Sequence, residues 1–246
     1  MIDPLLAFIA FVFLIGGFSK GVLGMGLPTV TMGLLAVAMT PIQAAAFLIV
    51  PSFATNLWQM LSGGHFRALC ARLWPFLVPL IPATWLASGA MTGDYAGYAG
   101  PALGITLLIY AGLTLGGMKW RVAPAREKIT GVLVGIATGL VTGVTGVFVM
   151  PAVPFLQAIG LEKDELVQAL GIAFMVSTAA LAMGLGRAGM FGLDEAANSL
   201  VALLPALAGM WLGQSVRAKL SVVMFRRVFF LGLTALGAYL VLRAVL

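Results

Sequence analysis

Between Gly16 and Pro28 the chain reads GGFSKGVLGMGLP, five glycines and one lysine inside an otherwise apolar region. Glycine permits positive φ and close backbone approach, so a stretch this dense is expected to break a helix and let the chain turn sharply. Its spacing, Gly17, Gly21, Gly24 and then Pro28, returns as Gly139, Gly143, Gly146 and then Pro151. The same glycine spacing also occurs at Gly93, Gly97 and Gly100 in a polar turn, so in a chain with 31 glycines the echo needs further support. That support is present. Gln43-Ala44 matches Gln168-Ala169, Gly64-x-Phe66 matches Gly189-x-Phe191, and Pro79 and Trp85-Leu86 match Pro205 and Trp211-Leu212. The offset rises from 122 to 126 along the chain and never falls, which a duplication explains and a glycine-rich composition does not.

The solvent of this chain follows from its apolar content. With 246 residues, 61% hydrophobic and 9% charged, and a mean hydropathy of +1.09, it carries more apolar surface than a water-soluble core can hide, so lipid is its expected surroundings. The opening MIDPLLAF has an acid and no basic stretch, so a cleaved secretory signal is not expected. One cysteine, Cys70, excludes an internal disulfide and a multi-thiolate metal site, and one histidine, His65, leaves no histidine pair. No cofactor or metal is expected. The net charge of +6 comes from basic residues in short gaps between apolar runs, the pattern that orients a membrane protein rather than one that binds nucleic acid.

Apolar runs between turn signals predict an all-α, polytopic membrane protein of ten segments: 5–18, 27–39, 42–61, 69–91, 98–118, 129–142, 149–159, 166–185, 196–216 and 228–245. They divide into a first repeat over residues 1–118, a polar linker KWRVAPAREK over 119–128, and a second repeat over 129–246, together one membrane domain. An odd number of crossings per repeat inverts the second copy relative to the first, an arrangement common among secondary transporters. With the N-terminus outside and all ten segments crossing, 12 of the 14 lysines and arginines fall in inner gaps, leaving only Arg187 and Arg243 outside. If segments two and seven turn back, five basic residues lie outside, so the positive-inside rule favours ten. Those two segments are nonetheless shorter than the ~20 residues a bilayer core requires. They are expected to start near the midplane, after glycine hairpins that dip in from opposite sides, where non-helical backbone must be enclosed by protein or line a cavity.

Several residues could carry chemistry at those hairpins. Helix starts after Gly24-Met25-Gly26 and after Gly146 would turn unpaired N–H groups and positive dipole ends toward one space, which suits an anion. Thr29, Thr142 and Thr145 could add hydroxyl donors. The competing reading is that the glycines only let helices pack closely. On the third segment Ser52, Thr55, Asn56 and Gln59 share one helical face. Their counterparts are Ser177, Ala180, Leu181 and Gly184, with Thr178 beside Ser177, so the second half keeps little more than the serine. The stripe serves either a substrate or interhelical hydrogen bonds. Lys20 either faces an anion as countercharge or snorkels to the inner surface. Arg187 has the same two readings, with the surface role favoured, and His65 and Cys70 are expected at an inner helix boundary.

The duplicated glycine segment with its following proline, each leading into several apolar helices, resembles the TauE/SafE-type sulfite exporters, small bacterial inner-membrane proteins. Here Met25 and Leu27 interrupt the first glycine cluster and Val147-Phe148-Val149-Met150 replaces most of the second. The resemblance implies a multi-pass protein of the cell inner membrane that transports small sulfur oxyanions or organosulfonates outward, in the family's sense of exporter, as a secondary carrier. The expected partners are that small anion, membrane lipid and, in a homodimer, a second copy of the chain. An anion channel or uniporter is the first alternative, and a purely structural subunit would share the same interior. An intramembrane enzyme is disfavoured: all eight acids fall at predicted segment ends or gaps, and no nucleophile can be matched to a base.

The ten-segment topology predicts that both termini face the periplasm and that Ala125 in the linker faces the cytoplasm. Cysteines introduced at Ala125 and at the termini check this by impermeant thiol labelling. Labelling of Ala125→Cys from outside intact cells would remove the ten-crossing arrangement.

Overall fold

The protein's structure, a computed structural model, describes residues 4–117 and 120–245. Asp3 and the first repeat's boundary at Met118 and Lys119 lie outside the described residues. The described chain is all-helical, with ten α-helices: α1 (Pro4–Leu23), α2 (Leu27–Ala38), α3 (Pro41–Leu61), α4 (Phe66–Ala87), α5 (Ala96–Leu115), α6 (Glu127–Thr145), α7 (Ala152–Ala158), α8 (Lys163–Arg187), α9 (Leu193–Val216) and α10 (Val222–Val245). Eight are long and apolar enough to cross a membrane, and α2 and α7 are not. At 1.5 Å per residue α2 is about 18 Å long and α7 about 10 Å, against a hydrocarbon core of about 30 Å.

The first glycine stretch does not break the helix where its density suggests. Helix α1 continues through Gly16, Gly17 and Gly21 as far as Leu23, and the turn is confined to Gly24 (φ 76°), Met25 and Gly26 (φ 116°). The reason is packing. A Cβ at Gly17 would strike the Ala206 carbonyl and one at Gly21 the Met210 carbonyl. Gly209 and Gly213 on α9 close in the same way on the carbonyls of Leu14 and Phe18. On the other side of the molecule Gly135, Gly139 and Gly143 of α6 lie against the carbonyls of Phe76, Leu80 and Thr84 on α4. Small residues let helices approach until dispersion contacts form along their length, which is how apolar helices associate in lipid.

These contacts also give the helix directions. Residue numbers rise together across α1 with α9 and across α4 with α6, so both pairs run parallel. Across α3 and α8 they run oppositely, with Met60 against Gly171 and Asn56 bonded to Thr178. The same holds for α5 and α10, where Gly104 meets Leu240 and Val241 while Gly237 meets Leu107 and Leu108. Both pairs are antiparallel. Near the linker, Arg72 donates to both carboxylate oxygens of Glu127 at 2.7 and 2.9 Å and to the Ile159 carbonyl at 2.7 Å. The Val122 amide donates to the Ala158 carbonyl at 3.0 Å. The linker is thereby pinned to the end of α7.

The two crossovers differ. After Gly26 the chain enters α2 at once, beside Gly16 and Ser19 of α1, so α2 starts more than a turn short of the end of α1. After Gly146 (φ 71°) a buried, non-helical run from Val147 to Met150 precedes a cis Met150–Pro151 bond, and α7 begins only at Ala152.

Gly17→Leu should cost about 3 kcal/mol or more, because a backbone carbonyl cannot yield as a side chain can. Gly112, whose Cβ position is open space, should tolerate Ala with a gain of up to about 1 kcal/mol. Thermal unfolding of the purified variants in detergent checks the contrast, and equal midpoints would remove the packing role of Gly17.

Candidate functional site

Helix α3 carries Pro51 one residue before its polar stripe. Proline has no N–H, so the Phe47 carbonyl four residues earlier loses its helical donor. Ser199 of α9 replaces it, donating to the Phe47 carbonyl at 2.7 Å and accepting the Val50 amide at 3.3 Å. The stripe that follows is wholly buried: Ser52, Thr55, Asn56 and Gln59 all face inward.

Lys20 meets this stripe. It sits one residue before Gly21, and since successive helical residues turn by about 100°, the residue beside the α9 contact points toward α3. Its Nζ donates to Thr55 Oγ1 at 3.1 Å and to Asn56 Oδ1. Asn56 in turn donates from Nδ2 to Thr178 Oγ1 on α8 at 3.1 Å, and Thr178 donates to the Phe174 carbonyl at 2.7 Å. Lys20 is 3% exposed and does not snorkel. Among the described residues it is the one buried side chain that carries a formal charge. The described acids, Asp94, Glu127, Glu162, Asp164, Glu165, Asp194 and Glu195, all lie at helix ends or in turns and none is buried. The ammonium therefore has neutral partners only. An isolated charge in a low-dielectric interior costs several kcal/mol, and hydrogen bonds to an amide and a hydroxyl offset part of that.

Gln59 ties the surrounding segments together. Its Nε2 donates to the carbonyls of Gly24 and Val167, each at 2.9 Å, joining the α1–α2 turn to α3 and α8. One turn further along, Gln168 accepts the His65 amide at 2.9 Å and donates to the carbonyls of Met60 and Gly63 at 2.9 and 3.2 Å. Two buried oxygens on the stripe, Ser52 Oγ and Gln59 Oε1, have no partner among the described residues, and neither has Thr138 Oγ1 on α6.

Thus the structure joins Lys20, Thr55, Asn56 and Thr178 in one network and sets Gln59 and Gly24 beside it. Gly26 ends the turn and Thr29 lies in the first turn of α2, its hydroxyl donating to the Gly26 carbonyl at 2.9 Å. The remaining expected residues are engaged elsewhere. Thr142 and Thr145 donate to the carbonyls of Thr138 and Val141, each at 2.7 Å, and Ser177 to that of Ala173 at 2.9 Å. Gly146 lies against Met32 of α2. No hydrogen bond among the described residues links these four to Lys20. Nor does a helix follow Gly146 directly, because a non-helical run to Pro151 intervenes, so no helix start lies at Gly146 itself.

Sequence reasoning missed Gln168 and Ser199. The first was visible as a repeat marker without a role. For the second, Pro51 inside an apolar helix was the available signal, since it leaves a carbonyl that some neighbour has to serve. Arg187 is exposed and stacks over the Trp85 ring at 4.3 Å, which fits the surface role. His65 precedes α4 and Cys70 lies in its first turns.

Eight membrane-length helices around a buried, neutrally held lysine define a multi-pass integral membrane protein with a cationic centre. The family model described as Sulfite exporter TauE/SafE matches residues 8–240, and the chain belongs to that family. It is accordingly a membrane transporter of sulfite or related anions and not an enzyme. Neither the comparison with curated proteins nor that with solved structures gives a match.

Removing one partner of a buried charge is more costly than removing the charge. Asn56→Leu should therefore lower stability by about 3 kcal/mol, whereas Lys20→Met should be neutral or stabilising. Chemical unfolding in detergent micelles checks this, and a Lys20→Met variant less stable than Asn56→Leu would contradict it.

Proposed function

We propose that the protein is a secondary carrier for sulfite or small organosulfonates in which Lys20 supplies the countercharge. The observation that carries this reading is the buried ammonium with no carboxylate to neutralise it. A small oxyanion beside it would complete an ion pair where the structure has only neutral acceptors. The oxygens of a sulfonate accept hydrogen bonds and donate none, so they suit the ammonium, the Asn56 N–H that Thr178 leaves free and the Ser52 hydroxyl. The amides of Met25, Gly26 and Leu27, which have no partner among the described residues, add donors at the neighbouring turn.

The seal around the network supports a carrier over a channel. Lys20, Thr55, Asn56 and Thr178 are each 0 to 3% exposed, so a bound ion would be occluded in this conformation, as alternating access requires and an open pore does not. The exchange of partners between the halves supports the inverted-repeat reading. Counterparts α1 and α6 pack on counterparts α9 and α4, and α3 with α8 and α5 with α10 are antiparallel. An alternation of ten segments requires those directions, whereas turning α2 and α7 back would make both pairs parallel.

Export is the favoured direction on energetic grounds. An anion leaving a cell with a negative interior gains about 2.3 kcal/mol per charge per 100 mV, roughly a fifty-fold gradient, without a second ion. Purified protein should gain thermal stability with sulfite or a sulfonate such as sulfoacetate and none with acetate, by mass action. Lys20→Met should abolish that gain while remaining folded. In proteoliposomes, saturable counterflow distinguishes carrier from channel. An inside-negative potassium diffusion potential should speed efflux with no pH gradient imposed. Efflux that ignores the potential and follows pH would overturn the uncoupled reading, and a shift unchanged in Lys20→Met would remove the site.

A further inference from the structure

A second cavity lies apart from the Lys20 network. Helices α1, α2 and α10 enclose a cleft of about 690 Å³ lined by Ile15, Ser19, Val30, Leu34, Phe229 and Leu236, with Phe225 and Tyr239 toward its ends. This volume is within the roughly 300–1,000 Å³ of ligand pockets. Along α10 the lining runs from Phe225 to Tyr239, about 21 Å at 1.5 Å per residue, which is longer than half of a hydrocarbon core of about 30 Å. The cleft is thus long enough to take one acyl chain lengthwise. It lies on the flank of membrane-length helices, and Val228 and Tyr239 on its rim are 61% and 46% exposed. A soluble ligand would have to cross lipid to reach it.

The two ends differ in charge. At the Tyr239 end Arg243 bonds to the carbonyls of Ala36 and Val37 at 3.4 and 3.0 Å, spending its guanidinium on the end of α2. At the Phe225 end Arg226 and Arg227 lie in the second turn of α10. Both Arg226 and Arg227 are exposed and neither makes an ion pair among the described residues. Near that end Ser19, 3% exposed, lines the cleft with a hydroxyl that makes no hydrogen bond among the described residues. Phe225 meets Phe18 edge-on at 5.7 Å, so Ser19 lies level with the start of α10, and a phospholipid whose phosphate sits at the tips of the arginine side chains would bring an ester carbonyl to it.

We propose that this cleft binds one anionic phospholipid, with an acyl chain along α10, an ester carbonyl accepting from Ser19, and the phosphate and headgroup beside Arg226 and Arg227. The apolar contacts confer no preference, since the chain leaves one hydrocarbon environment for another. Selectivity comes from the headgroup. Each arginine near the membrane surface contributes about fivefold in favour of a net anionic lipid, so two give a preference of about 25-fold for phosphatidylglycerol over phosphatidylcholine.

The test is native mass spectrometry of the full chain in detergent, titrated with phosphatidylglycerol and phosphatidylcholine of matched acyl chains. Wild type should retain one phosphatidylglycerol per chain at about 25-fold preference, and R226Q/R227Q should bring the two lipids near parity. Gly232 lines the cleft with open space where a Cβ would be, so Gly232→Phe fills it without a clash and should lose the bound lipid while staying folded. Equal retention of the two lipids by wild type would overturn the proposal. So would full retention by Gly232→Phe, or a lipid-free dimer in which a second copy covers the α1–α2–α10 flank.

Discussion

Between two apolar helices in a bilayer there is no hydrophobic gain, because the lipid they displace is as apolar as they are. Attraction then depends on how closely the backbones approach, and in this protein the approach is set by glycine. The seams of α1 with α9 and of α6 with α4 bring Gly17, Gly21, Gly139 and Gly143 against facing carbonyls with no room for a Cβ. Each glycine in a helix interior costs up to about 1 kcal/mol of propensity relative to alanine. The continuous dispersion contact that replaces side-chain bulk is the compensation.

The polar interior follows from these seams. Once Gly17 and Gly21 fasten one face of α1 to α9, Lys20, in the last turn of α1, has no choice of direction and emerges toward α3. In a loosely packed bundle a lysine this near the end of its helix would extend to water. Here the rotation about the α1 axis is set by the seam, and the ammonium finds Thr55 and Asn56 instead. Gln59 and Gln168 then close the turns around it, serving carbonyls of Gly24, Met60 and Gly63 that the helices leave free and adding a second donor to that of Val167 inside α8. Such carbonyls, buried without donors, would be costly at membrane depth.

How much of this was legible depends on whether a feature is local. Ten helices, and the shortness of the second and seventh, could be read from apolar run length. The inward face of the Ser52–Gln59 stripe could be read from its spacing, because period and burial agree there. The helical state of Gly16–Leu23 could not, since it depends on α9 supplying contacts to glycines whose intrinsic preference is to turn. The same limit applies to Lys20, whose snorkelling and inward rotamers are equivalent until α3 is placed. After Gly146 the seventh segment was expected from residue 149, but α7 begins at Ala152 and Val147–Met150 is non-helical, and nothing local in four apolar residues distinguishes the two states.

On the proposed duplication, the scaffold is more regular than its chemistry. At the offset of 122 that aligns the glycines, Lys20 falls on Thr142, and at 125 Asn56 falls on Leu181. The seam that aims an ammonium at α3 in one half therefore aims a hydroxyl in the other, and Thr142 spends that hydroxyl on its own helix through Thr138. Two lysines facing one interior would repel each other, and each would lack neutral acceptors to share. A cation in one half alone leaves a single unit of charge to be neutralised, which in the proposed function is matched to one small anion at a time. Packing can be duplicated freely because each seam is satisfied within itself. A buried charge cannot, because every further copy would require its own counterion.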